Sequence, residues 1–183
     1  MLLGRATSPT RLPTRAAEKR ISAWIDGHNT GVIDARFGHV NLIARDWRAL
    51  AAFYQDVLGC TLVPPERDLS GEALSAATGV PNAALRGIHL RLPGGEPAGP
   101  TLEIFEYDPS LAHPPTVANR PGFGHIAFVV PDVDAARATI LDEGGTPVGD
   151  VVTTQTADGR RVTWCYVTDP EGNIVELQAW SVA

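Results

Sequence analysis

Lysine is almost missing from this chain of 183 residues, with Lys19 alone against fourteen Arg. Methionine is as scarce, represented by Met1, and there are two cysteines, Cys60 and Cys165. The preference for Arg over Lys reads as codon bias of a GC-rich genome and says little about function. Two cysteines are too few for a disulfide scaffold. Neither has a catalytic partner in the sequence, so both are expected to be free thiols. No run approaches the roughly 18 apolar residues of a membrane-spanning helix. A secretory signal is also lacking, because Met1-Leu2-Leu3 is broken at once by Gly4 and Arg5. Positive charge is not in excess: 15 basic against 21 acidic residues leave a net charge of −6. With a pI near 5.3, that balance argues against a nucleic-acid partner. The expected setting is cytoplasmic, with neither a membrane nor a nucleic acid as partner.

What is present fits one ordinary globular domain. Hydrophobic residues make up 44% and charged residues 20%, and a chain of this length can bury a core without metal or disulfide staples. The charge is unevenly spread. Residues 1–20 carry a net +4, which leaves −10 for the rest. Pro9 and Pro13 interrupt any helix there. Residues 1–35 therefore read as a partly disordered N-terminal extension, whose Trp24 and Ile25 are able to pack as an arm.

An internal repeat organises the remainder. Gly38-His39-Val40 matches Gly124-His125-Ile126 at an offset of 86, and the same offset pairs Asp46 with Asp132, Ala49 with Ala135, Ala52 with Ala138 and Gly59 with Gly145. Residues 37–44 and 124–130 suit strands. Asp46 and Asp132 suit helix N-caps, where a carboxylate accepts from otherwise unpaired amides. Leu50, Phe53, Tyr54, Val57 and Leu58 form one apolar helical stripe. Val133, Ala136, Ile140 and Leu141 repeat it more weakly. Gly59 and Gly144-Gly145 end the helices. Further strands are expected at 61–64, 86–92 and 100–107, then at 147–153, 161–168 and 173–180. The stretch 64–86 is long for its place and is read as a lid, a short helix or a surface excursion. The fold class is α+β, with module one at 36–108, a linker at 109–121 and module two at 122–181, together one domain.

Alternation along strands locates the chemistry. His39 shares a face with Asn41 and opposes Val40 and Leu42. Glu103 shares a face with Phe105 and opposes Leu102 and Ile104. His125 opposes Ile126 and Phe128, and Glu176, on a face with Gln178, opposes Val175 and Leu177. Each repeat thus offers one His on its first strand and one carboxylate on its last, away from the helix-packed face. Two imidazoles and two carboxylates suit one divalent ion such as Zn, Ni, Co, Mn or Fe. His28, His89 and His113 have no match in the other repeat and are read as structural or surface residues. Arg91, Arg160 and Arg161 read as solvated. Residues 169–173 read as a turn, since the acidic spacing of a calcium loop is missing.

These residues carry a family resemblance over about 36–181. Gly38-His39, the stretch 53–59, Gly124-His125-Ile126-Ala127-Phe128 and the Asp-Pro-Glu-Gly-Asn run that leads to Glu176 resemble the vicinal oxygen chelate superfamily, which groups glyoxalase, bleomycin-resistance and dioxygenase proteins. The resemblance implies two tandem βαβββ modules forming a half-open barrel around a metal site. It is closest to glyoxalase I, whose metal ligands match His39, Glu103, His125 and Glu176. It implies proton transfer next to a chelated carbonyl through an enediolate, with Glu176 as first choice for the base and Glu103 as second. Asn41, Phe105, Tyr107 and Gln178 are the expected substrate contacts, and a homodimer is the expected assembly. Ile43 stands where glyoxalase I has a glutathione-holding Arg, and Tyr107 where it has an Asn. The acyl-CoA epimerases of the superfamily commonly have Gln where Glu103 stands. The leading expectation is a metal-dependent isomerase or lyase acting on a small molecule. The alternatives are an extradiol-type dioxygenase, whose iron uses two His and one Glu, and a metal-free sequestering protein of the bleomycin-resistance type.

Overall fold

The computed structural model describes residues 33–112 and 114–181. Most of the expected N-terminal extension, with His28, lies outside the described residues, as does His113. The element order is β1 (His39–Ile43), α1 (Trp47–Asp56), β2 (Thr61–Ser70), α2 (Glu72–Thr78), β3 (Ala84–Arg91), β4 (Thr101–Asp108), β5 (Ile126–Val129), α3 (Val133–Asp142), β6 (Val152–Gln155), β7 (Arg161–Thr168) and β8 (Ile174–Ser181). The strands form two four-stranded sheets with the same order, β1-β4-β3-β2 and β5-β8-β7-β6. In each, the first and last strands of the module pair in parallel and the other pairs are antiparallel. The fold is therefore the expected pair of βαβββ modules.

Local chemistry explains the helix boundaries. The Asp46 carboxylate accepts from the amides of Arg48 and Ala49, and Asp132 accepts from Ala135. Such caps contribute about 0.5–2 kcal/mol each. Gly59 and Gly144 then take positive φ of 69° and 93°, which glycine adopts without strain. Leu50, Phe53 and Tyr54 on α1 are buried against β3 and β4. Leu102 and Ile104 of β4 and Val175 and Leu177 of β8 are buried on the corresponding faces, and one hydrophobic core includes residues of both modules. Burying each such side chain is worth about 1.5–3 kcal/mol.

Three boundaries differ from the sequence reading. Residues 64–86 hold no long loop: β2 runs on through Pro64 and Pro65 to Ser70, and α2, the short helix among the expected alternatives, follows. Two prolines are tolerated because β2 is an edge strand, and its register shifts between Val63 and Arg67. The strand expected at 147–153 forms at Val152–Gln155, and Pro147 makes only an isolated bridge to Val167. β5 begins at Ile126, so His125 stands just ahead of its strand.

Candidate functional site

The side of each sheet away from the helices carries the polar residues. On the first sheet, the parallel register pairs Asn41 with Glu103. His39 Nε2 lies 3.2 Å from Glu103 Oε2, and the Asn41 amide donates to the same oxygen at 3.4 Å. On the second sheet, His125 Nε2 lies 2.7 Å from Glu176 Oε2. The expected His–carboxylate partners of each module are thus brought together. The two pairs are not joined into one centre: among the described residues, no group of three or more His, Cys, Asp or Glu side chains is arranged to hold a metal ion.

The donor chemistry fits a divalent ion. Each His–Glu separation is near the spacing of about 3 Å between adjacent ligand atoms that metal–ligand distances of about 2.1 Å impose. A divalent ion binds imidazole nitrogen and carboxylate oxygen in place of protons, and each pair offers one of each. Glu103 is 8% exposed and is one of few charged residues in the interior. A buried carboxylate needs partners, because desolvation otherwise makes its charge costly.

Two aromatic groups and one histidine join these pairs. Tyr166 lies against the His125 ring, with centroids 4.9 Å apart, and Trp164 packs edge-on against Tyr166. Burial, and next the negative charge of Glu176, push the Tyr166 hydroxyl above its usual pKa. The histidine is His89, which the sequence reading placed among structural or surface residues. Register puts His89 beside Glu103, and its Nε2 is 2.8 Å from Glu103 Oε1. Burial lowers the His89 pKa, against the pull of Glu103. The alternation of Ile88, His89 and Leu90 would have put this ring on the open face. Its nearness to Glu103 follows only from the pairing of β3 with β4.

Of the other expected substrate contacts, Phe105 stacks edge-on against His89 at 6.0 Å. Its ring lies over Gly87, where an added Cβ would come within 2.4 Å of Phe105 Cδ1. Tyr107 and Gln178 are half-buried on β4 and β8. A cavity of about 430 Å³ reaches His125 but is not lined by His39, Glu103 or Glu176. It is lined by Asn41, Leu42 and Ile43 of β1, by His125, and by Arg120 and Phe123 of the preceding loop. Arg160 is held by Asp158 at 2.7 Å, on the surface as expected. Cys60 and Cys165 are free and buried.

Residues 36–177 match the family model of the Glyoxalase/Bleomycin resistance protein/Dioxygenase superfamily. The chain belongs to this superfamily. Among its relatives is the uncharacterized protein YaeR of Escherichia coli, 30% identical over 142 residues, or 76% of this chain and 92% of that protein. Another is the ethylmalonyl-CoA/methylmalonyl-CoA epimerase of Cereibacter sphaeroides, 27% identical over 143 residues, or 78% of this chain and 96% of the epimerase. A glyoxalase family protein from Bacillus cereus has the same fold. Its TM-score is 0.67 at 20% identity, over 85% of this chain and 98% of that one. Among the described residues, no helix of this superfamily member is long and apolar enough to cross a membrane.

Proposed function

We propose that the protein is a metal-dependent isomerase or lyase that moves a proton on the carbon next to a carbonyl of a small substrate. One observation carries the reading: each sheet sets a His and a carboxylate on its open face, at 3.2 and 2.7 Å. His39, Glu103, His125 and Glu176 are the residues that would hold one divalent ion, of the Zn, Ni, Co, Mn or Fe kind. When bound, the ion supplies a Lewis acid for a carbonyl oxygen. The remaining work belongs to the chain. Glu176 takes and returns the proton, and Glu103 is the second choice for that role. A carboxylate paired in register with Tyr166 and 2.7 Å from His125 is placed to act as that base. Asn41, Phe105, Tyr107 and Gln178 contact the substrate, and the working form is a cytoplasmic homodimer.

The similarity to an ethylmalonyl-CoA/methylmalonyl-CoA epimerase supports proton transfer beside a thioester carbonyl. Ile43 and Tyr107 do not favour glutathione as co-substrate. Glu103 beside His39 makes a fourth donor, more than the two His and one Glu of a ring-cleaving dioxygenase iron.

Metal analysis of the purified protein, and of His125→Ala and Glu176→Ala, tests the reading. The parent is expected to hold one ion per chain, and each variant to lose it. A parent that takes up no stoichiometric ion under any loading refutes the metal enzyme and leaves the sequestering protein. Substrate class is tested by solvent deuterium uptake at the carbon next to the carbonyl, with acyl-CoA thioesters and the methylglyoxal–glutathione adduct.

A further inference from the structure

The open face of the first sheet carries one imidazole that the repeat does not duplicate. His89 Nε2 holds Glu103 Oε1 at 2.8 Å, while His39 Nε2 stands 3.2 Å from the other oxygen, Oε2. The two rings thus address the carboxylate from opposite oxygens. Their settings differ too: the His89 side chain is 17% exposed and that of His39 is 52% exposed. His89 Nδ1 lies 3.0 Å from Thr101 Oγ1. The two ring nitrogens thus face Glu103 and Thr101, and the tautomer sets which partner donates at Nδ1. Phe105 packs on the ring edge-on. A carboxylate oxygen 2.8 Å from Nε2, a hydrogen bond at Nδ1 and an aromatic neighbour therefore hold this imidazole in place.

The second sheet is built differently at the same register. Tyr166 pairs with Glu176 as His89 pairs with Glu103, but it lies against the His125 ring. Among the described residues, His125 is the side chain paired with Glu176, its Nε2 2.7 Å from Oε2.

We propose that His89 is a positioning residue that pins Glu103 by Oε1 and leaves Oε2, on the His39 side, as the one oxygen Glu103 presents. Glu103 is thereby an immobile ligand, and proton transfer falls to Glu176, which among the described residues has no second imidazole beside it. The inference rests on the metal reading above.

Cobalt titration of the full-length protein, followed by calorimetry and visible absorption, tests it. The variants are His89→Ala, His89→Gln and His89→Asn, each alone and combined with Glu103→Gln. Gln replaces the Nε2 donor, whereas Asn keeps a polar group only near the Nδ1 position. His89→Ala and His89→Asn are expected to weaken cobalt binding by about 10–100-fold, the usual effect of losing the partner of a ligand. Both should also change the absorption bands, and His89→Gln should restore most of both properties. In the Glu103→Gln background the same changes should add less than about twofold, because His89 acts through Glu103. Unchanged affinity and bands in His89→Ala and His89→Asn overturn the role of His89 and leave the metal reading standing. An undiminished loss in the Glu103→Gln background also overturns it, since His89 would then act independently. A parent that takes up no cobalt overturns both.

Discussion

Tyr54→Phe removes one oxygen atom from the centre of the molecule, and its effect is calculable. Tyr54, on α1, is fully buried and donates its hydroxyl to Asp169 Oδ2 at 3.1 Å. Asp169 lies in the turn between β7 and β8 and is 1% exposed. Its carboxylate also accepts from the amides of Glu171 and Asn173 at 2.9 Å each, and from Asn173 Nδ2 at 2.8 Å. The hydroxyl thus joins a helix of module one to the turn that leads into the strand of Glu176. Phe keeps the ring and its packing, so the change isolates one hydrogen bond to a charged group. Such bonds are worth about 1.5–3 kcal/mol. For a chain of this length, a loss of about 2 kcal/mol lowers Tm by roughly 4–8 °C.

The pH dependence gives a second check. Burial holds the Asp169 carboxyl above its usual 3.8, against the hydrogen bonds that lower it. A raised folded pKa means that folding disfavours the ionised form. Below the unfolded value both states are protonated and the group does not alter stability. As pH rises through the folded value, the native state acquires a buried charge and stability is lost. The Tyr54 bond offsets part of that loss. The gap between parent and variant is therefore full at pH 7 and shrinks at about pH 3, where a neutral bond of about 0.5–1.5 kcal/mol remains. At the alkaline end, burial and then Asp169 push the Tyr54 hydroxyl well above 10. The parent then loses stability above pH 10 that the variant does not, and the gap narrows again. Urea unfolding followed by tryptophan fluorescence at the three pH values measures this. No difference at pH 7, or a gap that widens on acidification, would refute the reasoning.

Other outcomes are as definite. Gly87→Ala puts a Cβ 2.0 Å from the Ile104 carbonyl oxygen and 2.4 Å from Phe105. It should cost about 1–3 kcal/mol in chemical unfolding, and it should disturb the Phe105 ring that rests on His89. Asp46→Ala removes a cap that accepts from two amides and should cost about 1 kcal/mol in the same assay. Burial pushes the Cys60 thiol up to about 11. In the native protein it should stay unreactive toward a thiol reagent at pH 8 and react only on unfolding. The raised value also means that its contribution to stability falls as pH rises above about 9. Rapid labelling of native Cys60 would contradict its burial.

Much of this architecture is legible in local chemistry. Asp46 and Asp132 cap helices wherever they stand before an apolar stripe, and alternation along β4 and β8 assigns a face to Glu103 and Glu176 whatever lies beside them. These features depend on residues within one turn or one strand, so the sequence alone determined the modules, the buried faces and the two His–carboxylate pairs. Residues 64–86 were harder to read, because Pro64 and Pro65 signal a break unless the strand is known to lie at a sheet edge. His89 escaped for a related reason. The offset between repeats is 86 at His39 and His125, but Glu103 and Glu176 are only 73 apart, so matching at a constant offset sets His89 against Val175. Its true counterpart, Tyr166, is defined by antiparallel pairing with β8. That pairing is a contact between distant parts of the chain, selected by the whole sheet. Only the tertiary structure could decide that, among the described residues, one carboxylate has a second imidazole beside it while the other does not, because that difference lies between strands.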